Sequence, residues 1–166
     1  MRAIIIYYSY SGNTKIIADA LFEYLKAQYE VKIARLQAPG ESSVFVGQAV
    51  RALFHKRTGI VPIEIDLSSY DLICLGTPVW AFAPTPAMNT YLDQCIGLAG
   101  KPVACFTTYG SGTGVQRCLT YMESILTQKG ARDFKRFSIQ QFKVNDKAFV
   151  NKVISTILQH ELTTRL

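Results

Sequence analysis

The stretch that decides the fold is YSYSGNTKII, residues 8–17. It follows the apolar run MRAIIIY (1–7) and leads into ADALFEYLKAQY (18–29), in which apolar residues recur at helical spacing. A buried strand is therefore predicted to end here, and the chain turns through small hydroxyl residues and one glycine before a helix begins. Hydroxyl groups and unpaired N–H groups at a helix start can hold a phosphate, so the junction is a candidate anion site.

Strand and helix patterns alternate along the rest of the chain. Apolar strand patterns occur at residues 2–8, 30–36, 70–77, 101–108 and 132–139. Amphipathic helix patterns occur at residues 14–29, 44–56, 85–96, 114–130 and 146–162. This alternation predicts an α/β fold with a mostly parallel sheet covered on both faces, and no repeat or linker divides the chain. We therefore expect a single domain over residues 1–166.

Three loops follow predicted strand ends, and we call them the first loop (9–14), the second loop (77–86) and the third loop (107–114). All three are rich in small, hydroxyl or aromatic residues. In open parallel sheets, ligands bind outside the carboxyl ends of the strands. The three loops are therefore expected to form one ligand site.

The first loop, SYSGNT, has the chemistry of a phosphate site. Ser9, Ser11 and Thr14 can donate hydroxyl hydrogen bonds, while Gly12 and Asn13 tolerate backbone angles that let successive N–H groups converge. The loop contains no lysine or arginine, and it lacks both the Gly-Lys-Ser/Thr of a nucleotide-hydrolase loop and the three glycines of a dinucleotide fingerprint. A helix start without a ligand remains the alternative.

The second loop carries aromatic side chains. It begins with a Thr-Pro pair, which favours an extended exit from the strand, and continues with Trp80 and Phe82. Exposed rings at a strand end suit a flat aromatic ligand. The alternative is that both rings cover the sheet edge or a subunit contact.

The third loop, TTYGSGTG, is rich in glycine. Its three glycines allow backbone N–H groups to approach the polar edge of a ring. Tyr109 offers a further aromatic face for stacking.

Together the three loops resemble the FMN site of the flavodoxin-like family. SYSGNT is similar to that family's Ser/Thr-x-Thr-Gly-Asn-Thr phosphate loop, and YDLICLGTPVWAFAPTPAMNTYLDQ (70–94) to its Tyr-Asp strand, Gly-Thr-Pro-x-Trp loop and helix ending in Tyr-Leu. FTTYGSGTG (106–114) matches its third loop in position and glycine content. The resemblance extends along nearly the whole chain. It implies a flavodoxin-like three-layer αβα sandwich with a five-stranded parallel sheet in the order 2-1-3-4-5, as in flavodoxin itself.

The resemblance also implies which residues bind FMN. The phosphate would be held by Ser9, Tyr10, Ser11, Gly12, Asn13 and Thr14. The isoalloxazine would be lined by Pro78, Val79, Trp80, Ala81 and Phe82. The pyrimidine side of the ring and the ribityl chain would contact Thr108, Tyr109, Gly110, Ser111 and Gly112.

Two departures from electron-carrying flavodoxins favour an enzyme. The second loop has no glycine at the place where many carriers have one whose peptide flips to bond the singly reduced flavin, and a Cβ raises the cost of positive φ. The formal charge is +6, whereas the carriers tend to be acidic. We therefore expect an FMN-dependent oxidoreductase in which NAD(P)H reduces a quinone or another small acceptor. The alternatives are a one-electron carrier that serves a protein partner, such as an acidic redox protein, and a cofactor-free doubly wound interaction module.

Composition and sequence patterns limit the kinds of partner and the cellular location that we expect for this chain. Hydrophobic residues make up 49% of the chain and charged residues 18%, as in globular proteins. The basic residues are scattered and match no nucleic-acid motif, and no apolar run approaches the roughly 20 residues that span a bilayer. The N-terminal apolar stretch is too short for a secretory signal, so we expect a cytoplasmic protein without nucleic-acid or membrane partners. The oligomeric state stays open.

The cysteines are not spaced as metal ligands. None of the four forms a CxxC pair, and their spacing fits no zinc pattern. We therefore expect buried, reduced thiols at Cys74, Cys95, Cys105 and Cys118, and no metal.

Overall fold

The computed structural model describes residues 1–39 and 57–159. Five strands form one parallel sheet in the order β2-β1-β3-β4-β5. Their bounds are β1 Arg2–Tyr7, β2 Glu30–Arg35, β3 Leu72–Pro78, β4 Pro102–Tyr109 and β5 Arg132–Gln140. The helices are α1 Asn13–Leu25, α2 Pro86–Gln94, α3 Val115–Gln128 and α4 Lys147–Leu158, and a 3-10 turn spans Gln141–Lys143. The predicted flavodoxin-like sandwich and strand order are confirmed, whereas the helix predicted at 44–56 lies outside the described residues.

The central strands are buried on both faces of the sheet. Ile4, Ile5 and Ile6 of β1 are all fully buried. Because successive side chains of a strand point to opposite faces, Ile4 and Ile6 join one hydrophobic core and Ile5 joins the other. This two-sided burial is why the run is continuously apolar rather than alternating.

Each core is closed by a pair of helices. Ile17 and Leu21 of α1 pack in the same core as Ile154 of α4, while Cys118 and Met122 of α3 belong to the core on the opposite face. These pairs form the outer layers of the sandwich.

The first helix is shorter than its sequence pattern predicts. The pattern extends to residue 29, but α1 ends at Leu25. The N–H groups of Gln28 and Tyr29 both donate to the Leu25 carbonyl at 2.9 Å, so the chain closes a tight turn and returns to the sheet as β2. The crossover to a neighbouring parallel strand, and not local propensity, sets this end.

The register of the sheet brings the three loops together. Tyr7 pairs with Gly76, and Thr77 with Thr107, so β1, β3 and β4 end side by side. Gly76 is required here because a Cβ would lie 2.1 Å from the Phe106 ring. The close approach of ring and backbone therefore depends on a residue without a side chain.

The cysteines lie inside the two cores. All four are free and buried, which confirms the prediction of reduced, buried thiols. Within residues 1–39 and 57–159, no cluster of His, Cys, Asp or Glu side chains is arranged to hold a metal. In the same part of the chain, no helix has the length and apolar character needed to cross a membrane.

Candidate functional site

A cavity of about 460 Å³ lies where the three loops meet at the carboxyl edge of the sheet. Its volume falls in the range of small-molecule and cofactor sites, about 300–1,000 Å³. Most of the residues that the resemblance implied line it: Tyr10, Ser11, Asn13, Thr14, Pro78, Val79, Trp80, Thr108, Tyr109, Gly110 and Ser111. Those implied residues that do not line it are Ser9, Gly12, Ala81, Phe82 and Gly112. The structure thus gathers the three loops around one cavity, although five of the implied residues do not line it.

The first loop presents hydrogen-bond donors where it enters α1. Gly12, the residue before the helix, has φ 90°, and a Cβ there would meet nothing within 4 Å, so the space beside it is open. Ser9 is buried and its Oγ accepts a hydrogen bond from the Lys15 N–H at 3.2 Å. The N–H groups of Asn13 and Thr14 have no acceptor in the described parts of the chain. Donors at a helix start with open space in front of them fit a phosphate group.

A buried hydrogen bond joins the first loop to the third. The hydroxyl oxygens of Thr14 and Thr108 lie 2.8 Å apart, and the two residues are 94 positions apart in sequence. Both side chains are buried. The link fixes the distance between the loop that carries the helix start and the loop that carries the glycines.

Trp80 forms an aromatic cluster at the cavity. Its ring packs edge-on against Tyr8 and Tyr10, with ring centroids 5.8 Å apart in each case. Only 7% of Trp80 is exposed, so the expectation of an exposed indole was wrong. The two tyrosines cover the ring, and it faces the cavity with a part of its surface only.

The second loop contains a strained two-residue turn. Trp80 and Ala83 exchange backbone hydrogen bonds of 2.9 and 3.0 Å, and between them Ala81 has φ 45° and Phe82 has φ 67°. The loop therefore adopts positive φ although it has no glycine. Two positive φ values across such a pair are typical of the type I′ turn. A Cβ on Gly114 would lie 2.3 Å from Phe82 Cδ1, so the start of α3 packs tightly against this turn.

Sequence reasoning missed Gln141, which lines the cavity from the turn after β5. A Cβ on Gly110 would lie 3.5 Å from Gln141 Nε2, so this amide packs beside the third loop. The preceding residue, Gln140, donates from Nε2 to the Gly110 carbonyl at 2.9 Å. Only the topology could have indicated Gln141, because the residue after the fifth parallel strand comes to the same sheet edge as the three loops.

Arg35 was missed for a similar reason. It ends β2, directly beside Tyr7 of β1, and its Nη2 donates to the Ser9 carbonyl at 2.8 Å. A cation from another strand therefore contacts the first loop, which has no basic residue within it.

Two basic side chains lie near the first loop, Lys15 and Arg35. Lys15 Nζ lies 2.5 Å from Asp19 Oδ2, and this hydrogen bond raises the pKa of the lysine. Burial raises the pKa of the Tyr7 hydroxyl, although Lys15 and Arg35 act in the opposite direction. The Tyr7 hydroxyl is therefore neutral at neutral pH, and Lys15, which directly follows the loop, is paired with a carboxylate.

The sheet order and the site at its carboxyl edge define the class of flavodoxin-like proteins. A flavoprotein from Lactobacillus acidophilus, solved in complex with FMN, is 22% identical, with 89% of this chain and 98% of that chain covered and a TM-score of 0.63. Flavodoxin 2 from Bacillus cereus is 23% identical, with coverages of 96% and 99% and a TM-score of 0.65. An NADH:FMN oxidoreductase in its apo form is 18% identical, with coverages of 95% and 88% and a TM-score of 0.63. At these identities the likeness establishes the fold.

The family follows from the sequence match. The chain belongs to the NADPH-dependent FMN reductase family, whose model matches residues 1–144. It is therefore an FMN protein of an oxidoreductase family, as the resemblance of its loops predicted. The described residues also fit FMN, because the first loop offers neutral donors for the phosphate and aromatic side chains line the adjoining wall.

Proposed function

We propose that this protein is an FMN-dependent oxidoreductase in which NADPH or NADH reduces a quinone or another small acceptor at the cavity between the three loops. The observation that carries the proposal is that a phosphate-type loop and an aromatic wall line one open cavity in a member of this family. A carrier that exchanges single electrons with a protein partner is the competing proposal, and the basic net charge weighs against the acidic surface typical of such carriers.

The first loop would hold the cofactor's phosphate. The N–H groups of Asn13 and Thr14 belong to the first turn of α1, and both residues line the cavity together with Ser11. The helix start adds a partial positive charge that favours an anion. These groups would anchor the phosphate in its ionised form.

The second and third loops would hold the ring system. Trp80 and Tyr109 supply aromatic surface, and the third-loop residues Gly110 and Ser111 bring backbone close to the cavity. FMN would supply two-electron redox chemistry when bound. The chain contributes binding, orientation and partial exclusion of water.

The mouth of the cavity would admit the second substrate. Tyr10 lines the cavity and is 46% exposed, so the aromatic wall extends to the solvent. A planar nicotinamide or quinone can pack against such a surface. Small acceptors are therefore favoured over a large protein face as the electron acceptor.

Binding and turnover test the proposal separately. Titration of FMN into the purified protein should quench flavin fluorescence with a micromolar or lower Kd. The loaded protein should then oxidise NADPH, measured by the loss of absorbance at 340 nm, when a soluble quinone is present. Binding without oxidation of either nicotinamide nucleotide would contradict the enzymatic proposal and favour the carrier, whereas absence of FMN binding would contradict both.

A pair of tyrosine variants tests where the isoalloxazine ring of FMN binds. Removal of the cavity side chain in Tyr109→Ala should weaken FMN binding about tenfold, because stacking of a base on an aromatic side chain is worth about 1–3 kcal/mol. The matched control is Tyr121→Ala, which removes a tyrosine of α3 that does not line the cavity. Equal Kd values for FMN in the two variants would contradict stacking of the isoalloxazine ring on Tyr109.

A further inference from the structure

Arg35 links β2 to the first loop across 26 positions of sequence. Its Nη2 donates to the backbone carbonyl of Ser9 at 2.8 Å. Ser9 is buried, and its Oγ accepts the hydrogen bond from the Lys15 N–H inside α1. The guanidinium therefore contacts the residue whose side chain ties the loop to the helix start.

We propose that Arg35 turns the first loop from a neutral phosphate cradle into a charge-assisted one, and thereby makes the chain select FMN over riboflavin. The inference rests on the proposed function, since it assigns the cofactor's phosphate to the first loop. Arg35 acts in two ways: it positions the loop through the Ser9 carbonyl, and it places a permanent positive charge beside the anion site.

The physical argument starts from the cation that contacts the loop. Lys15, the basic residue closest in sequence, directs its ammonium group to Asp19 on the next turn of α1, whereas Arg35 hydrogen-bonds to the backbone of the loop itself. An arginine remains protonated at every physiological pH. The FMN phosphate is a dianion near neutral pH, and riboflavin lacks it. A cation at this position therefore strengthens the binding of one flavin and leaves the binding of the other almost unchanged.

The same argument predicts salt dependence. Arg35 is exposed, so ions in the solvent screen its charge, with a Debye length of about 10 Å at 0.1 M salt. Affinity for FMN should fall as the salt concentration rises, whereas hydrogen bonds from neutral donors to the same phosphate respond less. Replacement of Arg35 by an uncharged residue should therefore remove most of the salt dependence of FMN binding.

The chain offers a charge-matched control on the same strand. Lys32 lies three residues before Arg35 on β2 and forms an ion pair with Glu64 at 3.2 Å. Lys32→Gln removes the same formal charge as Arg35→Gln without touching the first loop. Arg35→Lys retains the charge and removes the planar fork of donors.

The experiment measures Kd for FMN and for riboflavin by fluorescence quenching at 20 and 300 mM NaCl, for the natural chain and these variants. At low salt, Arg35→Gln should weaken FMN binding about tenfold and riboflavin binding less than twofold. Lys32→Gln should change both by less than twofold, and Arg35→Lys should retain part of the preference for FMN. At high salt, the difference in FMN affinity between the natural chain and Arg35→Gln should become smaller, because ions screen the charge. Circular dichroism confirms that each variant is folded.

Several results would overturn the inference while leaving the proposed function intact. An equal loss for FMN and riboflavin in Arg35→Gln would show that the arginine only shapes the loop. Equal effects of Arg35→Gln and Lys32→Gln would point to the net charge of the protein. If Arg35→Gln left the Kd for FMN unchanged but raised the KM for NADPH, the arginine would bind the nicotinamide nucleotide instead of acting on the FMN phosphate. If the natural chain bound neither flavin, the proposed function would fail and this inference with it.

Discussion

Ala81 and Phe82 hold a backbone conformation that side chains disfavour. Both have positive φ, which costs roughly 1–2 kcal/mol per residue with a Cβ. The exchanged hydrogen bonds of Trp80 and Ala83 hold the turn, and its tight contact with Gly114 supports it from the start of α3. Strain of this kind often collects at functional sites, and here it lies beside the wall formed by Trp80.

The contact with Gly114 can be tested by adding one methyl group. Gly114→Ala should displace the Phe82 ring and weaken FMN binding about tenfold or more, because the new Cβ would lie 2.3 Å from Cδ1. The control is Gly100→Ala, where φ is also positive, at 71°, but a Cβ would meet nothing within 4 Å. Gly100→Ala therefore has the energetic cost of a side chain at positive φ but lacks the steric clash with Phe82. Kd values from fluorescence quenching that match between the two variants would refute the role of the contact.

The strain itself can be relieved at Ala81. Ala81→Gly should raise the free energy of unfolding by about 0.5–1 kcal/mol, because the relief of positive φ exceeds the entropy that glycine adds to the unfolded chain. Ala20→Gly, in the interior of α1, should instead lower it by about 1 kcal/mol. Urea denaturation measures both, and a loss at Ala81 as large as at Ala20 would show that the turn is not strained.

At the scale of elements, α2 depends on partners at its two ends. Thr85 caps its start, with Oγ1 accepting a hydrogen bond from the Met88 N–H at 3.4 Å. At the other end, Lys129 donates from Nζ to the carbonyls of Asp93 and Cys95 at 2.8 and 3.0 Å. A cation at a helix C-terminus satisfies carbonyls that lack helical partners and complements the helix dipole. The lysine therefore ties the end of α3 to the end of α2.

Removal of that cation should loosen α2. Lys129→Met keeps the length of the side chain and should lower the free energy of unfolding by about 1–2 kcal/mol, the value of a hydrogen bond to a charged group reduced for exposure. Lys152→Met, at an exposed position of α4, loses the same charge and should change it by less than about 0.5 kcal/mol. Urea midpoints compare the two, and equal midpoints would contradict the capping role.

At the scale of the whole molecule, both cores bury ionisable thiols. Burial raises the pKa of Cys95 to about 11 and that of Cys118 to about 12, and it raises that of Cys105 as well. In the unfolded chain these thiols return to values near 9. These three thiols belong to the core that α3 covers, and that core therefore favours their protonated form.

This shift makes stability depend on alkaline pH. Because the unfolded thiols ionise first, the contribution to stability is complete below about pH 8.5 and is lost as the pH rises through 9 towards 11–12. Each thiol adds a slope of at most about 1.4 kcal/mol per pH unit in that window. Urea unfolding at pH 7, 8, 9 and 10 measures the slope. Cys118→Ala should reduce it, and an identical slope in that variant would contradict the assignment.

Much of the fold was predictable because its signals are local. The continuous apolar run of β1 and the glycine-containing turn before α1 are set by neighbours in sequence. The end of α1 was not predictable from its periodicity, because the crossover to β2 decides where the helix stops. The burial of Trp80 was missed as well, since Tyr8 and Tyr10 cover it only after β1 and β3 have paired.

The sequence by itself determined the alternating elements, the sheet order through a resemblance, and the three loops that surround the cavity. The tertiary structure alone decided that Arg35 contacts Ser9, that Thr14 bonds to Thr108, and that Gln141 joins the cavity wall. The physical reason is distance along the chain. Spacing rules extend over a few residues, whereas these contacts join residues that only the register of the parallel sheet brings to the same edge.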